Sequence, residues 1–275
     1  MNRLALARIA VLLVGPAATA ADPLRRFVYP GADGRLVYAA DARGNRIPDF
    51  SHCGYRGGEA IPDVSVRVVL FQGEGDSFTA GNDLADFASQ ARGESAVDSP
   101  AHRFIETVST ASKPLVAAVQ GNAVGVGTTM LLHCDLVYLA DNAKLITPFV
   151  NLALVPEAAS SWLLPLRIGH ARAYAMFALG EPMEASAAVA CGLANAVMPA
   201  AELRKKARDA AIALTKRPAG SLSLTKKLMR DYQRIAAQIA EEGQLFKERL
   251  KTPEAREAFA AFAERRQPDF SKLPG

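Results

Sequence analysis

Two glycine-marked turns carry the residues best suited to chemistry in this chain of 275 residues. The first is Phe78-Thr79-Ala80-Gly81-Asn82-Asp83-Leu84, where Gly81 permits a tight strand-to-helix turn and Asp83 stands near the cap of the next helix. The second is Gly121-Asn122-Ala123-Val124-Gly125-Val126-Gly127, running straight into the helical pattern that ends at His133. Its glycines let the backbone of Val126 present its N–H outward at a helix N-terminus, where the dipole favours negative charge. Two such donors converging on one oxygen make an oxyanion hole. Taken alone, each turn is better read as close packing. Glu157 directly follows Pro156, an ordinary arrangement for a charge at the start of a helix. His52, His102, His133 and His170 are scattered without metal or triad spacing, so core or surface placement is expected of them. Cys53, Cys134 and Cys191 lie far apart in an odd number, which supplies neither a disulfide framework nor a zinc motif, and no metal site is expected. Gly125-Val126-Gly127 lacks the third glycine of a dinucleotide fingerprint, and no phosphate-cradling GxxxxGK[ST] exists.

The elements that would position these turns begin at Ser65, where Val66 to Gln72 reads as a buried strand closed by Gly73 and Gly75. Further strands are expected over 115–120, 135–140 and 143–147, alternating with helices near 83–91, 99–111 and 126–133. Strands interleaved with helices imply βα units covering both faces of a sheet, an α/β core. After Pro156 the pattern becomes helical over 157–168, 171–179, 184–191, 201–215, 218–230, 232–250 and 253–264. We therefore divide the chain into a core over 66–200 and a helical C-terminal region over 201–275.

Half of the residues are apolar and 22% are charged, enough for a buried core and too apolar for general disorder. The net charge of +4 divides into +2 over 1–65, −5 over 66–200 and +7 over 201–275. In the last part lysine and arginine alternate with glutamate, as on a solvated helix face, so nucleic acid is not an expected partner. No stretch is long and apolar enough for a membrane span. Residues 1–21, with Asn2-Arg3, the apolar run Ile9 to Val14 and the small-residue site Ala18-Thr19-Ala20, read as a candidate secretory signal interrupted by Arg8. Residues 22–65 read as a turn-rich arm, whose PDFSHCGYRGGEAIPDV stretch resembles the lead-in of secreted β-helix proteins of the pectate-lyase type, although no rungs follow.

In order and spacing, VRVVLFQGEGDSFTAGNDL (66–84) and the segment from KPLVAAVQGNAVGVGTTMLLHCDL to NAVMP (113–199) resemble the enoyl-CoA hydratase/isomerase, or crotonase, superfamily over residues 66–275. The resemblance implies a spiral of ββα turns with a helical C-terminal extension, the family's N-terminal strand pair and helix being missing or replaced here. It implies that the N–H groups of Asn82 and Val126 hold a thioester oxygen. It also implies that Ala80, Gly81, Asp83, Leu84 and Gly125 flank the coenzyme A thioester. Lys226, with Lys227 and Arg230, could reach a coenzyme A phosphate, though an exposed helix face explains them equally well. Coenzyme A enters as part of the substrate, with no tightly bound cofactor, and the assembly implied is a homotrimer or hexamer built through the C-terminal helices.

The two glutamates of the family's hydratases are replaced here by Thr129 and Phe149, neither of which is a base at neutral pH. Glu157, in Val155-Pro156-Glu157-Ala158-Ala159-Ser160-Ser161, stands where the Δ3,Δ2-enoyl-CoA isomerases carry a single catalytic glutamate. Apolar neighbours such as Phe149, Leu154 and Trp162 should raise its pKa. The expected activity is a one-base shift of a double bond from C3 to C2 of an enoyl-CoA. The alternatives are an enoyl-CoA hydratase, a thioester hydrolase using the same oxyanion hole, or a truncated protein without catalysis. Coenzyme A chemistry favours the cytoplasm, whereas cleavage after Ala20 would favour export.

Overall fold

The computed structural model describes residues 8–14, 24–28, 66–82, 87 and 100–273. Its main sheet contains β1 (Arg8–Val14), β2 (Leu24–Val28), β3 (Val68–Glu74), β4 (Leu115–Val119), β6 (Leu136–Ala140) and β9 (Ala196–Met198), in the order β2-β1-β3-β4-β6-β9. The strands from β3 to β9 are parallel, while β1 runs antiparallel to both β2 and β3. A smaller sheet of β5 (Asn122–Val124), β7 (Lys144–Ile146) and β8 (Met183–Glu184) lies in that order. The helices are α1 (Pro100–Thr110), α2 (Val126–Thr129), α3 (Ser160–Ile168), α4 (His170–Tyr174), α5 (Ala185–Ala190), α6 (Ala200–Thr215), α7 (Ala219–Leu228), α8 (Tyr232–Leu250) and α9 (Pro253–Glu264).

Strand side chains alternate between faces, so β3, β4 and β6 each split their apolar residues between two cores. Val68, Leu70, Val116, Ala118, Tyr138 and Ala140 meet Leu203, Ala207 and Ala211, which recur every fourth residue along α6. Val69, Phe71, Ala117, Val119, Val137 and Leu139 face the other way, against Ala123 and Leu145 of the small sheet and Met130 and Leu131 of the helical segment. Burial on both faces is why these strands read as continuous apolar runs. α2 passes directly into a 3-10 turn, Met130–His133, whose four residues are all buried.

Several expectations need correction. The run Ile9 to Val14, read as the centre of a leader, belongs to β1, paired with β3 from Arg8↔Glu74 to Val14↔Val68. Two strands thus lie at the edge where the resemblance expects the family's N-terminal pair to be missing or replaced. The α/β core expected over 66–200 also contains three strands not anticipated, β5, β8 and β9, which are two or three residues long and too short to establish a two-residue period. The helix expected from residue 157 starts at Ser160, because Ala158 and Ala159 adopt left-handed backbone angles. Apart from Phe87 and the β2 residues 24–28, the helix expected over 83–91 and the arm expected over 22–65 lie outside the described residues. Among those that are described, no helix is long and apolar enough to cross a membrane.

Candidate functional site

The chain crosses from β3 to the first glycine turn and meets the second turn edge to edge. Phe78 and Thr79 donate their N–H groups to Asn122 O at 3.0 and 3.1 Å, and Val124 N–H donates to Thr79 O at 3.1 Å. This interlacing leaves no room for side chains at two of the glycines. A Cβ on Gly81 (φ +85°) would stand 2.7 Å from Val124 O, and one on Gly127 would stand 2.2 Å from Thr79 Cγ2. Gly125 (φ 55°, ψ −118°) has a backbone conformation that other residues rarely adopt. Its N–H donates to Ile146 O at 2.9 Å, and its carbonyl accepts from Thr128 and Thr129 N–H. Thr128 Oγ1 adds a 2.6 Å bond to Ala123 O. Among the described residues, no group accepts from the N–H of Asn82 or of Val126. The close approach thus spends the neighbouring N–H groups internally.

Glu157 and Asn82 line the same cavity, of about 60 Å³, with Phe87, Ile105, Ile239 and Phe246 as apolar walls and His102 and Lys247 among the lining residues. Val126 packs against the cluster that contains Ala158 and Ile105, on the same side of the site. Burial among apolar groups, and secondarily the charge of Glu242, pushes the Glu157 carboxyl up to about 8. A group poised there exchanges a proton near neutral pH, as a general base requires.

The turn that carries Glu157 is strained and pinned from both sides. Ala158 (φ 61°) and Ala159 (φ 56°) are consecutive left-handed residues, a conformation that costs a residue with a Cβ about 1–2 kcal/mol. His133, fully buried, contacts Ala158 O through Nε2 at 2.8 Å, and Arg230 Nη2 lies 2.8 Å from His133 Nδ1. A guanidinium only donates, so Nδ1 accepts and Nε2 carries the proton given to Ala158 O. Burial, with the Arg230 charge, lowers the His133 pKa to about 3 and keeps the ring neutral. On the other side, Glu242 Oε2 accepts from Ala159 N–H at 2.6 Å, and its Oε1 accepts from Ser161 N–H at 2.9 Å. Ser161 Oγ donates to the same Oε1 at 2.5 Å. Burial pushes Glu242 up to about 7, against these bonds from Ser161 and Ala159, which favour its charged form.

Neither His133 nor Glu242 was singled out from sequence as part of the site. For Glu242 a signal existed: the buried residues of α8 are Ile235, Ile239, Glu242, Phe246 and Leu250, so a carboxylate occupies one position of an apolar stripe. Lys226 departs from the exposed-face reading. It is 6% exposed, not on a solvated face, and its Nζ donates to Asp135 Oδ2 at 2.8 Å and Lys113 O at 2.9 Å. That ties α7 to the loop before β6 and leaves its charge already engaged. Arg230 is likewise bonded, to His133 O at 2.9 Å. Ala80 is exposed beside Gly81 in the first turn, while Asp83 and Leu84 lie outside the described residues. Thr129 and Phe149 are buried in the core. Cys134 is buried, and its thiol is pushed up to about 12 by that burial, in keeping with a packing residue.

The α/β fold thus brings Asn82 and one half-buried carboxyl, Glu157, to the same cavity, with Val126 packed against the cluster beside it. The family model described as enoyl-CoA hydratase/isomerase matches residues 59–273, and the chain belongs to that family. It is 34% identical over 205 residues to enoyl-CoA delta isomerase 2 of Rattus norvegicus, covering 72% of this chain. The chain spans only 52% of that relative's length. It is also 30% identical over 213 residues to the 2,3-dehydroadipyl-CoA hydratase of Escherichia coli K12, covering 77% of this chain and 83% of the relative. Among solved structures, an enoyl-CoA hydratase/isomerase from Pseudoalteromonas atlantica T6c superposes with a TM-score of 0.71 at 39% identity, covering 77% of this chain and 84% of that one.

Proposed function

We propose that the protein is an enoyl-CoA isomerase that moves a double bond from C3 to C2 by a one-base proton shuttle. The observation that carries this reading is that Glu157 is the one carboxyl lining the Asn82 cavity among the described residues. Glu242, the other carboxyl nearby, is 4% exposed and committed to Ala159 and Ser161. Water addition by the family's two-glutamate route needs a second carboxyl at the reacting carbons. Thr129 and Phe149 do not supply one.

In the proposed reaction Glu157 removes a proton from C2 of a 3-enoyl-CoA. The electron pair moves onto the thioester oxygen, where the N–H groups of Asn82 and Val126 stabilise the dienolate. A donor of this kind is worth about 3 kcal/mol of barrier. The protonated Glu157 then returns a proton to C4, the electrons flow back, and the conjugated 2-enoyl-CoA results. Coenzyme A takes part as a portion of the substrate, and a cavity of about 60 Å³ suits the reacting carbons and not the whole thioester. Apolar walls at Phe87, Ile105, Ile239 and Phe246 favour a hydrocarbon acyl chain.

The test is formation of the conjugated enoyl thioester from a 3-enoyl-CoA, followed by its absorbance. With Glu157→Gln, kcat should fall by about 10³-fold or more. In the natural protein kcat/KM should rise with pH toward about 8, as Glu157 loses its proton. Hydration of a 2-enoyl-CoA without isomerisation would replace this reading with the hydratase one.

A further inference from the structure

Glu242 occupies an expensive position. It replaces an apolar residue in the buried stripe of α8, yet all three of its recorded hydrogen bonds go to two residues of one turn, Ala159 and Ser161. That turn starts at Glu157 and contains two left-handed alanines, a conformation that persists only where the surroundings impose it. His133 imposes it from one side through Ala158 O, and Glu242 from the other. Glu242 does not itself line the cavity. We propose that Glu242 is a positioning residue for the base, holding the 157–161 turn so that the Glu157 carboxyl points into the cavity, and that it does this as a carboxylate. The proposal rests on the reading of Glu157 as the base.

The charge matters as well as the hydrogen bonds. The charge of Glu242 acts on the Glu157 carboxyl, so the two titrate as a coupled pair. The donors from Ala159 and Ser161 favour charge on Glu242, which leaves the proton on Glu157. The other ionisable groups around the pair are His102 on α1, already paired with Glu106 at 3.4 Å, neutral His133 below Ala158, and Lys247 and Glu241 on α8. Arg234, also on α8, sits over the Trp162 ring of α3 at 5.7 Å, and Gln238 Nε2 donates to Ser161 Oγ at 3.2 Å. The carboxyl of Glu242 is the charge that acts on Glu157 from behind the turn.

The experiment is a carboxyl titration of the full chain labelled with carbon-13 at the glutamate side-chain carboxyl, with the Glu157 signal assigned by its loss in Glu157→Gln. Natural protein should give a two-step titration for the pair. In Glu242→Gln the Glu157 midpoint should drop by about one unit to a single step, because the like charge is gone. The rising limb of kcat/KM against pH should move down with it, while kcat at its plateau falls about tenfold through misaiming of the base and KM changes less than twofold. Glu242→Asp, which keeps the charge on a shorter stem, should leave the midpoint near the natural one and still lower kcat. If Glu242→Gln does not fold, Ser161→Ala carries the test: losing a donor makes Glu242 harder to ionise and should also lower the Glu157 midpoint. An unmoved midpoint in a folded Glu242→Gln or Ser161→Ala protein overturns the proposal. A natural protein with no turnover on a 3-enoyl-CoA would sink the isomerase reading instead, and the titration would still report whether Glu242 governs Glu157.

Discussion

Burial holds His133 neutral and Glu157 protonated, and the two act on stability in different pH windows. The folded pKa of His133, about 3, lies below its ordinary value of 6.5, so the unfolded chain binds the extra proton between those limits. Stability is therefore intact above pH 6.5 and is lost as the pH falls toward 3, by at most about 1.4 kcal/mol per pH unit. Glu157 has the opposite sign. Its folded pKa, about 8, lies above the ordinary 4.5, so the folded state holds the extra proton and stability declines as the pH rises through that window. Glu157→Gln removes this penalty. It should raise stability at pH 8.5 by on the order of 1–3 kcal/mol, allowing for the partial exposure of the carboxyl, and change little at pH 5. Urea unfolding at the two pH values measures both; an equal change at pH 5 and 8.5 would mean that the carboxyl ionises freely. Stability given up at the residue proposed as the base is the usual consequence of tuning a carboxyl by burial. Sequence pointed to Glu157 only through the family resemblance, since a glutamate after proline is also an ordinary helix start. The left-handed turn that separates it from α3 was illegible, because alanine is the residue least expected to leave a helix.

At the scale of elements, the long parallel strands were readable and the short ones were not. Val68 to Phe71, Leu115 to Val119 and Val137 to Ala140 are buried on both faces and so form unbroken apolar runs. β5 lies inside the glycine-rich turn itself, and its three residues are ordered by pairing with β7, from Asn122↔Lys144 to Val124↔Ile146, which no local pattern announces. The basic character of α7 was legible, but not its use. Lys226 looked like a solvated or phosphate-seeking lysine, whereas its side chain is 4% exposed and salt-bridged to Asp135 at 2.8 Å. Asp135 Oδ2 also accepts from Leu115 N–H at 2.7 Å, so this one carboxylate joins α7 to the start of β4. Lys226→Met should therefore lower stability by about 2 kcal/mol, less than a fully buried pair because Asp135 keeps 29% of its side-chain surface in solvent. Thermal unfolding together with KM for an acyl-CoA checks the assignment. A lower Tm is expected. A KM raised several-fold at an unchanged Tm would return Lys226 to the coenzyme.

The whole molecule depends on how its first strands are used. The family match begins at residue 59, and the sequence before it gives no family signal, yet β1 lies along β3 at seven register positions and β2 lies outside β1. Six apolar residues in a row serve equally as a buried strand and as the centre of a leader, and periodicity cannot separate them. The sheet can separate them, because each use demands a different mature chain. Cleavage after Ala20 would remove β1 and expose β3, with its fully buried Val68, Leu70 and Phe71, as a bare sheet edge. Exposed hydrophobic residues already lie elsewhere on the surface, with Leu228 88% and Met229 80% exposed at the end of α7, where the family resemblance expects subunits to meet. A second uncovered apolar region would favour uncontrolled association. The full chain should therefore run as a discrete species by light scattering, and a chain beginning at Ala21 should aggregate or unfold at a temperature several degrees lower. If the shortened chain is monodisperse with an unchanged Tm, the sheet does not need β1, and the apolar run is free to act as a leader.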